Sequence, residues 1–271
     1  MVKKESNSLI FEYKPWHMTD SRYTRNRIFL KENEQEKIKS TPIFLGGCGI
    51  GSVIAECALR FGFENITLAD GDAVELTNLN RQNFLEADVS NLKVTALKNR
   101  LLSINSDAKI NIFPAYLNEE NCEEALIGHT IAINALDFSK EFPVKFDELC
   151  IANKITILHP YNLGWGGLLT VVGQQSPSLQ ILNKGCDKFS EITFIEYVLD
   201  YYDYWGKSQT WLKNLINEFK NEDVPQSPPQ LSIGSWILGS ICTHVLYKLA
   251  TGENVKLFPE FYLSTIQDFD R

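Results

Sequence analysis

Apolar residues recur along the first two thirds of the chain in two alternating rhythms. Short, nearly unbroken runs at Ile43-Phe44-Leu45, Ile66-Thr67-Leu68-Ala69, Lys109–Phe113, Thr130–Ala135 and Ile155–His159 have the length and composition of buried strands. Between them, segments with an apolar residue every third or fourth position predict helices: Val53–Phe63, Asn91–Ile104, Glu119–Ile127 and Ser139–Asn153. Strands separated by helices cannot pair as tight hairpins. The order therefore predicts an α/β fold with a largely parallel, Rossmann-like sheet in its first half and helices on both faces. Residues 1–18 read as an irregular arm with a few apolar anchors, Ser21–Ile38 as a helix made basic by Arg22, Arg25, Arg27 and Lys31, and residues 73–90 as a polar, asparagine-rich loop.

The alternation then breaks. Leu168–Val172 reads as a strand and Glu191–Asn221 as mostly helical and rich in aromatic residues. A proline-rich link around Pro228-Pro229 leads to a long apolar helix, Leu231–Ala250, closed by Thr251-Gly252, and Val255–Ile266 is extended. The C-terminal part is thus expected to add an antiparallel extension to the sheet. No internal repeat is present, and no boundary divides the chain into independent domains.

Composition narrows the class. The chain has 271 residues, 44% hydrophobic and 22% charged, as expected of a soluble globular protein with a substantial core. A net charge of −8 argues against a surface that coats nucleic acid. The N-terminus lacks the apolar core of a signal peptide, and no run approaches the roughly 20 apolar residues of a membrane span, so a cytoplasmic location is expected. None of the six cysteines forms a CxxC pair, so no structural zinc is expected. Cys57, Cys122, Cys150 and Cys242 fall in helical patterns, where they read as small buried hydrophobes.

The candidate chemistry centres on Gly46-Gly47-Cys48-Gly49-Ile50-Gly51-Ser52, which joins the first strand to the first core helix. Glycines there let backbone N–H groups approach a phosphate at a helix N-terminus, and Asp70 closes the next strand, where it is placed to accept hydrogen bonds from a ribose. The loop alone fits a dinucleotide as well as a mononucleotide. A dehydrogenase needs little beyond that acid, yet this chain continues with Asp72, with Thr77-Asn78-Leu79-Asn80-Arg81-Gln82, and with Lys93 opening a helix.

Those residues resemble the ThiF/MoeB/HesA family, bacterial relatives of the ubiquitin-activating enzymes. The family's GxGGxGS loop is similar to Gly46–Ser52, its DxD to Asp70 and Asp72, its SNLxRQ to Thr77–Gln82, and its RYxRQ to Arg22-Tyr23-Thr24-Arg25-Asn26. Its metal-binding aspartate falls on Asp137, and its apolar C-terminal helix on the stretch from Pro229 to Gly252. The resemblance covers residues 20–173 and 229–252. It implies one ThiF-type domain over 1–271: an arm and helix over 1–40, a nucleotide-binding core over 41–173, a variable crossover with an aromatic helical insert over 174–228, and a C-terminal helix and strand over 229–271.

The resemblance further implies ATP-dependent adenylation of a C-terminal carboxylate on a ubiquitin-like protein, sulfur carrier or peptide. Gly46, Gly49, Gly51, Asp70, Asp72, Asn78 and Gln82 would bind the nucleotide, and Arg81 and Lys93 would neutralise phosphate oxygens. Asp137 would hold Mg²⁺, and Arg25 would enter from the second subunit of a homodimer. Nucleic acid and membrane partners are not expected.

Plain rivals stand beside these roles. Asp72 caps a turn as readily as it meets a ligand, Gln82 structures its loop, and Arg22 is a solvated or salt-bridged neighbour. Gly164, Gly166 and Gly167 either line a channel for a peptide tail or form a bare turn. Cys186, between Lys184 and Lys188, is the one cysteine in a plausible crossover loop for a thioester step. The chain departs from the family pattern where Cys48 replaces a glycine, where Phe138 follows the aspartate, and where zinc cysteines are missing. Cys48 would weaken ATP binding if its position requires φ > 0. The alternatives are a tRNA threonylcarbamoyladenosine dehydratase-like enzyme, which the acidic charge opposes, and a non-catalytic scaffold of the same fold.

Overall fold

The computed structural model describes residues 20–137, 142–183, 190–224 and 226–267. After a 3₁₀ turn at Ser21–Asn26 come α1 (Glu32–Ser40), β1 (Pro42–Gly46), α2 (Ile50–Phe61), β2 (Asn65–Ala69), α3 (Lys93–Ile104) and β3 (Lys109–Phe113). They are followed by α4 (Cys122–Leu126), β4 (Ile131–Asn134), α5 (Phe142–Ala152), β5 (Thr156–Asn162) and β6 (Gly166–Val172). The chain ends with α6 (Glu191–Tyr204), α7 (Thr210–Lys220), α8 (Ser232–Thr251) and β7 (Phe261–Thr265).

The seven strands form one sheet in the order β3-β2-β1-β4-β5-β6-β7. From β3 to β5 every pair is parallel, and the β5–β6 and β6–β7 pairs are antiparallel. Both the parallel half and the antiparallel extension agree with the hydrophobic pattern. Alternate residues of β1 serve opposite faces, as the pleat requires. Ile43 and Leu45 join a core with α2, α3 and α8, whereas Phe44 joins a second core with α5, α6 and α7.

Three expected elements differ. Ser21–Ile38 is not one helix, because tertiary bonds fix a tight turn within it. The Tyr23 hydroxyl donates to Glu64 (2.8 Å), the Asn26 amide donates to Gln35 and to the Phe61 carbonyl, and Ile28 takes φ 77°. Glu191–Asn221 divides into α6 and α7 at Gly206, where φ is 65°. The extended C-terminal segment contributes only five residues to the sheet. Of the cysteines expected to be buried, Cys122, Cys150 and Cys242 are fully so and Cys57 partly. Burial pushes the Cys122 thiol up to about 12.

Candidate nucleotide site

The chain leaves β1 toward β2 and β3 on one side and returns to β4 and β5 on the other. A parallel sheet that reverses in this way opens a crevice between the C-terminal ends of the two diverging strands, here β1 and β4. The glycine loop lies in that crevice. Gly46 ends β1, Gly49 caps α2, and Gly51 is buried in the helix's first turn. Gly47 has φ 94°, and a Cβ built on it would stand 2.2 Å from the Ala135 carbonyl oxygen. Only glycine fits there. Cys48, by contrast, is not among the positive-φ residues, and its side chain is packed in the core beneath the loop. The condition under which Cys48 would obstruct a phosphate is therefore not met.

Loop and following segment are tied together. The Ser52 hydroxyl donates to the Gly49 carbonyl (2.7 Å) and accepts from the Asn83 amide (2.9 Å). This brings Gln82 against Gly49, where a Cβ would come within 3.2 Å of its amide nitrogen. The Gln82 side-chain oxygen is buried without a hydrogen-bond partner among the described residues, an unmet acceptor beside the loop.

The acids and cations are held in fixed positions. Asp70 accepts from the Cys48 amide (2.7 Å) and the Asp72 amide (2.8 Å), so it closes the glycine loop from below. Burial pushes its pKa above the ordinary carboxylate value in spite of those two donors. Asp72 is gripped by the Lys93 ammonium (3.0 Å) and the Tyr116 hydroxyl (2.6 Å). Lys93 itself is buried at the start of α3 and is linked to the loop through Asp72, whose amide donates to the same Asp70 that accepts from Cys48. Asn78 accepts from the Glu75 amide (3.0 Å) and shapes the turn that carries Arg81. The Arg81 Nε donates to Gln230 (2.7 Å), and one terminal nitrogen donates to Thr77 O (2.9 Å) and Asn80 Oδ1 (2.8 Å). Burial lowers its pKa, but a guanidinium stays charged.

On the other wall, the Ala135 amide donates to Gly46 O (2.8 Å), and Asp137 follows two residues later, exposed. Glu191, the first residue of α6, has its carboxyl raised to about 7 by burial and then by the charge of Asp137. No group of three or more potential metal ligands occurs among the described residues. One exposed carboxylate near the glycine loop is compatible with Mg²⁺, which keeps waters and takes one or two carboxylates together with substrate phosphates.

Arg25 lies elsewhere. Its turn is pinned through Tyr23 to Glu64 and Asn105, and through Arg22 to Asp107 (2.7 Å). Those anchors sit where β2 and β3 begin, so roughly the 17 Å length of a five-residue strand separates the turn from the glycine-loop end. Arg22 is salt-bridged, as one of its expected roles required. Gly164 has φ 71°, and a Cβ on Gly167 would press on Leu238 of α8 at 2.8 Å; turn geometry and packing account for both glycines. Phe138 and Cys186 lie outside the described residues. Tyr116, Gln230 and Glu191 belong to no motif of the sequence. Only Gln230, at the entry to the apolar helix, lay near a recognised motif.

Fold and site together define an α/β protein with a glycine loop at a switch-point crevice and two cations, Arg81 and Lys93, on the loop and helix that follow. The chain belongs to the ThiF family, whose model matches residues 23–267. The sulfur carrier protein ThiS adenylyltransferase of Bacillus subtilis (strain 168) is 31% identical over 168 residues, 59% of this chain and 50% of that protein. The tRNA threonylcarbamoyladenosine dehydratase of the same organism is 35% identical over 104 residues, 38% of this chain and 41% of that protein. The molybdopterin-synthase adenylyltransferase of Haemophilus influenzae is 29% identical over 175 residues, 62% and 71% of the two chains. The chain thus spans half or less of the first two relatives. Among solved structures, PaaA (TM-score 0.66, 19% identity, 92% of this chain and 80% of that one) and E. coli MccB with ATP (0.65, 17%, 92% and 72%) share the fold.

Proposed function

We propose that the protein activates a C-terminal carboxylate, on a ubiquitin-like protein, a sulfur carrier or a peptide, by ATP-dependent adenylation. The observation that supports this reading is that the segments carrying three charged residues abut one glycine loop: Lys93 is linked to it through Asp72 and Asp70, Gln82 next to Arg81 lies against Gly49, and Ala135, two residues before Asp137, bonds to Gly46. A carboxylate oxygen bonds to the α-phosphorus, the bond to the bridging oxygen breaks, and pyrophosphate leaves with the electron pair. Attack of one anion on another needs charge neutralisation and positioning more than proton transfer. Lys93 and Arg81 supply fixed positive charge. Gly46, Gly49 and Gly51 admit the phosphates, Asp70 and Asp72 order the loop and its lysine, and Asn78 and Gln82 orient the ligand. Asp137 would hold Mg²⁺, which adds Lewis-acid stabilisation of the phosphate oxygens when bound.

Arg25 is read as a residue supplied in trans within a homodimer. Its position at the far end of its own sheet supports this, as do its exposed neighbours Ile28 (94%) and Phe29 (85%). Removing such an arginine should cost roughly 2–4 kcal/mol of transition-state stabilisation. A cytoplasmic setting is part of the same reading, and no described helix is long and apolar enough to cross a membrane.

ATP–pyrophosphate exchange, driven by a panel of carrier proteins and peptide tails, tests the proposal. Exchange with at least one substrate, and Mg·ATP-dependent thermal stabilisation lost in Asp137→Ala, is the expected outcome. Absence of both sinks it in favour of the scaffold. The similarity to the tRNA dehydratase favours one second reading, activation of a carboxylate within modified tRNA. Tight tRNA binding with a steep salt dependence would put that reading first.

A further inference from the structure

Among the described residues the sheet ends on β7, whose one strand partner is β6. An edge strand offers a row of backbone N–H and C=O groups that no neighbouring strand uses. Here that edge is the floor of a groove of about 800 Å³ between α6 and α8. Phe261 and Leu263 face the core shared with α6, and Tyr262 faces the core shared with α8. On the α6 side the wall is aromatic: Tyr197, Tyr201 and Trp205 line it, and the Tyr201 ring lies edge-on to Phe261 at 5.2 Å. On the α8 side it is formed by Ile241 and His244.

The charge of the groove runs against that of the whole. In a chain of net charge −8, the groove is lined by Lys207 and Lys256 against one acid, Glu260. The Lys256 ammonium lies 5.4 Å over the Tyr262 ring and donates at 3.4 Å to the Phe261 carbonyl. Charged lysines are a usual guard of edge strands against unwanted pairing; Lys256, exposed and outside β7 itself, lies against that edge and can be displaced.

Direction supplies the last element. β7 is antiparallel to β6, and β6 to β5, so β7 runs the same way as β1. Its last residue, Thr265, pairs with Gly166, at the end of the sheet that carries the glycine loop. A segment added parallel to β7 would leave the groove at that end. From its position to β1 is five strand spacings, roughly 24 Å, which about seven extended residues cover.

The geometry points to the β7 edge as the docking site for an extended peptide segment with alternating apolar residues and an acidic group, which pairs as a parallel eighth strand and lies about seven residues upstream of the activated carboxylate. Alternate side chains would meet the α6 rings and the Ile241–His244 wall, and the acid would meet Lys207 or Lys256. This inference rests on the reading of the substrate as a protein or peptide C-terminus.

Random dodecapeptides with free C-termini, selected against the intact protein and resynthesised with an N-terminal fluorophore, provide the probe. Enrichment of alternating apolar sequences carrying Asp or Glu is expected. So are an affinity loss of at least tenfold in Lys207→Glu/Lys256→Glu and slowed hydrogen exchange at residues 261–265 but not at the opposite edge, 109–113. Lys207→Gln/Lys256→Gln serves if the charge reversal fails to fold, with at least a threefold loss expected. No enrichment, equal affinity for the variants, or protection confined to other segments would overturn the docking site. Pyrophosphate exchange separates this inference from the adenylation reading. Protection at 261–265 by peptides that never drive exchange upholds the docking and counts against the substrate class. Exchange driven by a tail that leaves 261–265 unprotected sinks the docking and leaves adenylation standing.

Discussion

The parallel and antiparallel halves of the sheet hold their surface groups by different means. Around the glycine loop the groups are charged and bonded at short range: Cys48 to Asp70 at 2.7 Å, Lys93 to Asp72 at 3.0 Å, Arg81 to Gln230 at 2.7 Å. Around β7 they are rings in contact at centroid distances such as 5.2 Å for Tyr201–Phe261 and 6.0 Å for Tyr197–Phe258. A phosphate site needs charges that are already in place when the ligand arrives, because reorganisation at that moment would cost what the charges supply. An apolar groove needs area and tolerates rotation of its rings. Substitutions in the first half should therefore act on ATP, and substitutions in the second should not.

The largest effect is expected at Gly47. Alanine there adds a Cβ 2.2 Å from a backbone oxygen and forces a left-handed φ on a side-chain-bearing residue. Strain and overpacking together should cost roughly 2–5 kcal/mol, read as a lower denaturation midpoint even without nucleotide. Next comes Lys93→Ala. It removes a buried ammonium from beside the loop and should lower pyrophosphate exchange by a factor of about 10²–10³, roughly 2–4 kcal/mol. Trp205→Ala, in the other half, should leave Mg·ATP affinity by calorimetry within about twofold. A large loss there would break the separation of the two halves.

The same contrast explains what was legible in the sequence. Gly47, Asp70, Asn78 and Lys93 sit at strand or helix ends, where their spacing is fixed by local backbone geometry, so a motif carries them. Tyr116 is equally part of the loop's support, yet it reaches Asp72 from 44 residues away, and nothing local marks it. Gln230 is 149 residues from Arg81. The β7 groove is assembled from α6, α8 and the last strand, so its aromatic residues read only as an insert of undefined role. Ser21–Ile38 departs from the single helix its pattern predicts for a related reason: its helical periodicity is genuine in α1, but bonds to Glu64 and Phe61 override it over the first turn.

A smaller effect is expected at Glu56, which ties α2 to α3 and to the loop behind Arg81. This buried carboxylate accepts from Arg100 (2.5 Å), Arg60 (2.9 Å) and Asn83 (3.0 Å). Burial alone would raise its pKa, but the two arginines outweigh burial and hold it below the ordinary value of 4.5. The stability it contributes is therefore fully present above about pH 4.5 and lost as pH falls through the depressed folded value. Glu56→Gln should cost about 1.5–3 kcal/mol at pH 7. The lower half of that range is expected because Arg60 is well exposed to water. The difference from wild type should shrink in denaturant melts as pH falls below the ordinary value of 4.5 and through the depressed folded value. A gap that persists in acid would show that packing, and not charge, holds α2 to α3.

The smallest effect separates positioning from charge within the site itself. Among the described residues Gln230 touches the site through Arg81, and Gln230→Ala leaves the bonds to Thr77 and Asn80 in place. About 1 kcal/mol, or a fivefold loss of ATP affinity, is expected from the freed guanidinium. Gln230→Glu supplies the sharper test. A carboxylate would hold the Nε–H at least as firmly, so a purely structural role predicts full or improved affinity. If Arg81 faces a phosphate, the new negative charge competes with the ligand for the same cation, and Gln230→Glu must bind ATP more weakly than Gln230→Ala. The two predictions have opposite signs, and calorimetry at low and at high salt distinguishes them, because only the competition between charges weakens as salt screens it.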